Sequence, residues 1–236
     1  MELKHFSSAQ ELAQMAAKRI ADAIAKKPDL VLGLPTGETP VLTYDALAER
    51  ETDFSRVTTF NLDEYYPIAP TDPQSYRYFM NKHLFDRVNV KKENTHVPDG
   101  TAADPAQACR DYEAAIEAAG GVDLQLLGVG RNGHIGFNEP GTPLDSRTHL
   151  VDLTEDTIDA NARFFASAND VPRQALTMGV GTILRAKRIL ILITGETKCE
   201  ALRKLLSGKE DPAFPVTALQ RHPDVTVFCD DAAYGR

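Results

Sequence analysis

Cysteine is scarce and unpatterned in this chain. Cys109, Cys199 and Cys229 are odd in number and far apart, so neither a disulfide framework nor a zinc knuckle can be read from them. Long apolar runs are also missing. The longest candidate, Ile189 to Ile193, is strand-sized, against the ~18 residues that a membrane span needs. The opening stretch MELKHFSSAQELAQM has no apolar core of signal-peptide length. A cytoplasmic protein with no membrane partner is the simplest expectation. A basic surplus is absent too: 26 Lys and Arg stand against 34 Asp and Glu, a net charge of −8. That balance, with no basic stripe, argues against a sequence-independent grip on nucleic acid. A small anionic ligand in a locally basic pocket stays open. What the chain does have is the composition of a globular protein, 42% hydrophobic and 25% charged over 236 residues. A chain of that size buries roughly 70% of its unfolded surface without staples. No repeat, low-complexity tract or linker interrupts it, so residues 1–236 read as one domain.

Apolar spacing predicts the elements. Leu12, Met15, Ala16, Ile20, Ala23 and Ile24 recur at three and four residues, giving a helix over 8–27 with Ser7 or Ser8 as its cap. Residues 30–34 form a short apolar run ended by Pro35, a strand buried on both faces. A helix over 40–50, a strand over 57–62 and a helix over 73–88 follow. Asp104 and Pro105 open a helix that runs to 119, and a strand spans 124–129. Gly, Pro and Asn crowd 130–147, which reads as an ordered loop. A strand over 189–194, a helix over 197–207 and a strand over 225–229 complete the pattern. Strands separated by helices imply right-handed crossovers and a doubly wound, mainly parallel sheet in a three-layer α/β/α sandwich, Rossmann-like in class. In such a sheet ligands bind beyond the carboxyl ends of the strands, so the residues just after each strand are the ones to inspect.

Three strand ends carry chemistry-bearing residues. After the first comes Gly33-Leu34-Pro35-Thr36-Gly37-Glu38-Thr39-Pro40. With Thr39 as N-cap and Pro40 as first helical residue, free amides and the helix dipole would make an anion site. An ordinary strand–helix turn is the competing reading, and the lysine of a nucleotide-binding P-loop is missing. After the second strand, Asp63 and Glu64 stand side by side. In an extended chain adjacent carboxylates point to opposite faces. One can enter a crevice as a base for a carbon-bound proton while the other is tied into surrounding structure; a polar strand end is the alternative. The third site is Gly128-Val129-Gly130-Arg131-Asn132-Gly133-His134-Ile135-Gly136-Phe137-Asn138-Glu139-Pro140-Gly141. Gly128, Gly130 and Gly133 match the spacing of a dinucleotide fingerprint, but that motif needs a helix to open at the third glycine. Gly136, Pro140, Gly141 and Pro143 exclude a long one, so no nicotinamide or flavin cofactor is expected. The glycines better suit a backbone that approaches a ligand. His134 has an acid, Glu139, and an amide, Asn132, close by, and a carboxylate fixes a histidine's tautomer and raises its basicity. No second His or Cys stands at metal-ligand spacing. Arg163 and Lys198 are each surface charges unless they converge on an anion held by the first loop.

Taken together, GLPTGETP, FNLDEYY and LLGVGRNGHIGFNEPG resemble the glucosamine-6-phosphate deaminase family. The likeness runs over nearly the whole chain, and GHIGFNEPG is its most specific part. The resemblance implies amino-sugar catabolism: glucosamine 6-phosphate and water converted to fructose 6-phosphate and ammonia, with no cofactor. Carried over motif by motif, it implies that His134 opens the sugar ring, oriented by Glu139 and Asn132. Asp63 would take the C2 proton and return it to C1. Phosphate would lie on Thr36, Gly37, Glu38 and Thr39 with Arg163 and Lys198. The stretch 154–175 would be a lid.

Two departures refine the expectation. Asn132 stands where larger members of the family carry Asp, and Asn can orient His134 but cannot share its proton. The chain ends at Arg236 without the extension of hexameric forms, and His149 and Val151 occupy positions that are basic where those forms bind an acetylated sugar activator. The resemblance therefore implies a monomer without an allosteric activator. Two alternatives remain: a 6-phosphogluconolactonase-like sugar-phosphate hydrolase, which needs a phosphate site and a base but no proton shuttle, and a non-catalytic sugar-phosphate sensor, which needs only the anion site.

Overall fold

The computed structural model describes residues 1–163, 165, 167 and 170–236, with the side chains of 156, 160 and 161 excepted. In chain order its elements are β1 (Glu2–Phe6), α1 (Ala9–Lys26), β2 (Val31–Leu34), α2 (Glu38–Ala48), β3 (Thr58–Asn61), β4 (Asp63–Tyr66), α3 (Tyr76–Met80), β5 (Thr95–His96), α4 (Pro105–Ala118), β6 (Leu124–Leu127), β7 (His149–Asp152), α5 (Glu155–Ala162), β8 (Gln174–Thr177), α6 (Val180–Leu184), β9 (Ile189–Ile193), α7 (Cys199–Leu206), β10 (Val225–Asp230) and α8 (Asp231–Tyr234). Among the described residues no helix is long and apolar enough to cross a membrane.

Seven strands form one sheet in the order β1-β10-β9-β6-β2-β3-β5, every neighbouring pair parallel. The alternation of the strands divides the core in two. Leu30, Leu32, Leu34, Leu124, Leu126, Leu190, Leu192 and Phe228 face α1 and α2. Val31, Leu127, Ile189, Ile191, Ile193, Val225 and Val227 face α4, α6 and α7. Each buried aliphatic side chain contributes about 1.5–3 kcal/mol. A sheet apolar on both faces is stable only between two helical layers, which is the α/β/α class expected.

The caps at Ser8 and Asp104 also follow expectation: Ser8 accepts from Glu11 N–H and Asp104 from Gln107 N–H. Other expectations are corrected. The helix expected over 73–88 is α3 continued by a wider π turn, Asn81–Phe85. The helix over 197–207 opens with a tighter turn at Glu196–Lys198. A three-stranded antiparallel sheet, β4-β8-β7, was not expected at all. It hangs from the main sheet through Leu62, whose N–H donates to Leu34 and whose carbonyl accepts from Met178. Its core joins Tyr65, Phe137, Leu153 and Ala175 to Ile158 of α5.

Candidate active site

From β2 the sheet runs one way through β3 to β5; with β6 it turns back to the other side of β2. β2 and β6 therefore flank the switch point, where diverging loops leave a crevice. The loop after β2 is 35–37, the loop after β6 is 128–148, and Asp63 follows β3 after a single residue.

Asp63 opens β4 opposite Thr177 of β8. It is 6% exposed, and Tyr44, Tyr65, Tyr76 and Tyr112 each feel its charge. Burial first, and then the neighbouring charge of Glu64, push its carboxyl up to about 8. Glu64 points the other way. It accepts from the N–H groups of Tyr65 (3.0 Å), Tyr76 (2.7 Å) and Arg77 (2.9 Å), holding the first turn of α3. Those donors oppose burial, and Glu64 rises less, to about 7. One acid faces the crevice while the other is structural, as the alternation of an extended chain demands.

His134 lies in the loop after β6. Its Nδ1 is 3.5 Å from Glu139 Oε1, an ion-pair distance longer than a tight hydrogen bond. Asn132 ties the two together: its Nδ2 donates to Glu139 Oε2 at 2.7 Å and its Oδ1 accepts from His134 N–H at 3.2 Å. These contacts hold the Glu139 carboxyl below its ordinary value against the opposing effect of burial. A β-carbon built on Gly136 would stand 3.4 Å from Asp63 Oδ2. Gly136 is two residues past His134, which the chain bridges in at most about 7 Å. Asp63 and the His134 loop therefore border one space.

The dinucleotide-like glycines have a different explanation. A β-carbon on Gly130 would overlap the imidazole of His134, and the chain after Gly133 turns without opening a helix. The glycine gives the imidazole room. Gly130→Ala is expected to displace the ring and cut turnover by about tenfold or more, while the melting temperature stays near that of the parent; unchanged turnover would show that the ring's seat does not matter.

A second corner of the crevice is cationic. α2 begins at Glu38, with its cap two residues earlier than expected, because Gly37 at φ +105° makes the sharp entry that a side chain at Thr39 was expected to make. The Thr39 hydroxyl instead lies 3.3 Å from that of Thr194, after β9. Pro40 stays within the first turn, where its missing N–H costs nothing. Arg163, just past α5, reaches Glu38 at 2.9 Å. Lys198 is held below its ordinary value by burial first and then by Arg131, with Glu38 acting in the opposite sense. So Thr36, Gly37, Glu38, Thr39, Arg163 and Lys198 are brought to one corner, and Arg131, not singled out from the sequence, joins them. Its only signal there is its place in the loop after β6, between β2 and β9. Thr157 was missed as well; its hydroxyl donates to Glu139 Oε1 at 2.9 Å.

The stretch 154–175 lies partly outside the described residues; within them it holds α5. The groove between α4 and β7, lined by Arg110, Arg147 and His149, shares none of the candidate residues. Among the described residues no three His, Cys, Asp or Glu are grouped to hold a metal ion.

Comparison with known proteins bears on the chemistry. A family model described as glucosamine-6-phosphate isomerases/6-phosphogluconolactonase matches residues 4–228. A glucosamine-6-phosphate deaminase of Thermoanaerobacter pseudethanolicus is 50% identical over 95% of this chain and 90% of its own. One of Halothermothrix orenii is 51% identical over 95% of both. A solved monomeric glucosamine-6-phosphate deaminase of the NagB superfamily superposes with a TM-score of 0.97 at 48% identity, over 100% of this chain and 99% of that one. The 6-phosphogluconolactonase of Thermotoga maritima, 23% identical, superposes with a TM-score of 0.78 over 97% of this chain and 98% of its own, and shares the fold.

Proposed function

This chain belongs to the glucosamine-6-phosphate isomerase and 6-phosphogluconolactonase family, and on that premise we propose that it converts glucosamine 6-phosphate and water to fructose 6-phosphate and ammonia. The observation that carries the reading is a buried, proton-ready carboxylate, Asp63, bordering the same space as a histidine oriented by an acid and an amide. A sugar-phosphate sensor needs neither group, and a lactonase has no use for a base that moves a proton between adjacent carbons.

The phosphate docks on the loop 36–39 at the start of α2, with Lys198, Arg131 and Arg163. The Arg163–Glu38 pair is mostly exposed, at 60% and 73%, so its attraction is weak and a phosphate dianion can displace Glu38. Anchoring the far end of the sugar holds the reacting end in place, which lowers the barrier by several kcal/mol. His134 then moves a proton from the anomeric hydroxyl to the ring oxygen, the C1–O5 bond breaks, and the ring opens to the C1 aldehyde with a hydroxyl left on C5. Glu139 stabilises the imidazolium that forms meanwhile. Asp63 removes the proton from C2, leaving an enolamine between C1 and C2, and gives it back to C1. The product is a ketimine at C2. Water adds there and ammonia leaves, so atoms balance with no oxidant or reductant. Asn132 orients; it does not exchange protons.

The enzyme acts as a monomer in the cytoplasm, without an allosteric activator, in the use of amino sugars. The test is direct: incubation with glucosamine 6-phosphate is expected to release ammonia and fructose 6-phosphate in equal amounts. The rate is expected to follow a hyperbola that N-acetylglucosamine 6-phosphate leaves hyperbolic, and light scattering is expected to give the mass of one chain. Hydrolysis of 6-phosphogluconolactone with no ammonia would move the protein to the lactonase reading; a sigmoidal curve relieved by the acetylated sugar would contradict the absence of an activator.

A further inference from the structure

We propose that Thr157 is a positioning residue that couples the seating of α5 on the substrate phosphate to the orientation of Glu139, and through it of His134. This rests on the functional reading above and goes further, to how the two ends of the site communicate. Three contacts carry it. The Thr157 hydroxyl donates to Glu139 Oε1 at 2.9 Å, on the same oxygen that lies 3.5 Å from His134 Nδ1. Glu139 Oε2 is meanwhile occupied by Asn132, so Asn132 and Thr157 each hold one oxygen, and together they fix the plane of the carboxylate. At the far end of the same helix, Arg163 bonds to Glu38 at the phosphate loop.

One short helix, α5, thus touches the ring-opening carboxylate near its start and the phosphate corner just past its end. Two contacts seat its start: Thr154 accepts from Thr157 N–H at 3.2 Å, and Ile158 is buried with Tyr65 and Phe137. A shift of the helix on its apolar seat moves Thr157 and Arg163 together. A phosphate that holds Arg163 therefore holds Thr157 on Glu139, and the imidazole is aligned when a phosphorylated sugar is in place. The cost of misplacing a carboxylate by a fraction of an ångström falls on the chemical step and spares the binding of the phosphate.

The test compares Thr157→Val, Thr157→Ser, Arg163→Ala and the double variant Thr157→Val/Arg163→Ala with the parent enzyme. Thr157→Val keeps the shape and loses the donor. It is expected to lower kcat about tenfold, the worth of one hydrogen bond to a charged group, with KM within twofold. Thr157→Ser is expected to restore kcat to within about threefold of the parent, which a purely structural defect would not permit. Binding of the open-chain alditol of glucosamine 6-phosphate, which needs no ring opening, is expected to be unchanged in Thr157→Val. In the Arg163→Ala background the valine substitution is expected to cost less than threefold, because the helix is no longer held by phosphate. Unchanged kcat in Thr157→Val, failure of serine to rescue it, or the same tenfold cost in both backgrounds would each overturn the coupling. Absence of ammonia release by the parent enzyme would instead refute the functional reading.

Discussion

Asp63→Asn is expected to lower turnover of glucosamine 6-phosphate by about 10²- to 10⁴-fold, the usual worth of a positioned general base. The amide keeps the shape of the carboxylate and cannot take the C2 proton. Binding of the open-chain alditol phosphate is expected to persist, since its phosphate anchor is on other loops. The same residue sets the pH profile. With its carboxyl pushed up to about 8 by burial and by Glu64, Asp63 is a base only above that value, so kcat/KM is expected to fall about tenfold per pH unit below it. The residual activity of the asparagine variant should lack this limb. Stability gives an independent readout. The native carboxyl binds its proton more tightly than the unfolded one, so its contribution is fully present below the ordinary carboxylate value and is lost as pH rises to about 8. Asparagine carries no charge to bury. The variant's melting temperature is therefore expected to exceed the parent's by a margin that grows from pH 4 to 8, by several degrees at the upper end. A melting temperature below the parent's at pH 8, or a kcat within threefold of it, would remove Asp63 from its assigned place.

His134→Gln is expected to cost about 10²- to 10³-fold in turnover of the cyclic sugar, through a step that Asp63 does not perform. The two variants part company in isotope exchange. Fructose 6-phosphate opens without the enzyme, and with ammonia it supplies the open-chain ketimine directly. In heavy water, hydrogen at C1 of that species is expected to exchange at near the parent's rate in His134→Gln and to stop in Asp63→Asn. Loss of exchange in both would mean that the imidazole also serves the carbon acid; persistence in both would mean that neither group handles the C1 proton.

How much of this was legible in the sequence depended on range. Leu30 to Leu34 and Ile189 to Ile193 are apolar at every position, which only a strand covered on both faces can use, and the parallel sheet followed from them. Ser8, one of two serines offered as a cap, Asp104 as a cap and Pro105 as the first helical residue act within four residues of themselves and were legible. The small sheet was missed because His149–Asp152 and Gln174–Thr177 are too short and too mixed to show a period; their pairing comes from β4, distant in sequence. The division of labour between Asp63 and Glu64 was implied by alternation, but which acid faced the crevice was not, because the amides that claim Glu64 lie at 76 and 77. Thr39 was misread since the φ of Gly37 starts α2 sooner. Gly130 fitted a nucleotide motif in spacing, and its purpose, room for a ring four residues on, shows only once the loop is folded. Arg131 and Thr157 matter through what crossing loops bring to them.

The most direct measurement is a crystal structure of the enzyme with the open-chain alditol of glucosamine 6-phosphate. The predicted result has Asp63 within hydrogen-bonding reach of C1 and C2, His134 at the oxygens on C1 and C5, and the phosphate on residues 36–39 with Arg163 and Lys198. An alditol seated in the crevice with either Asp63 or His134 out of reach, or a phosphate held elsewhere, would contradict the claim that one hexose is served by both groups.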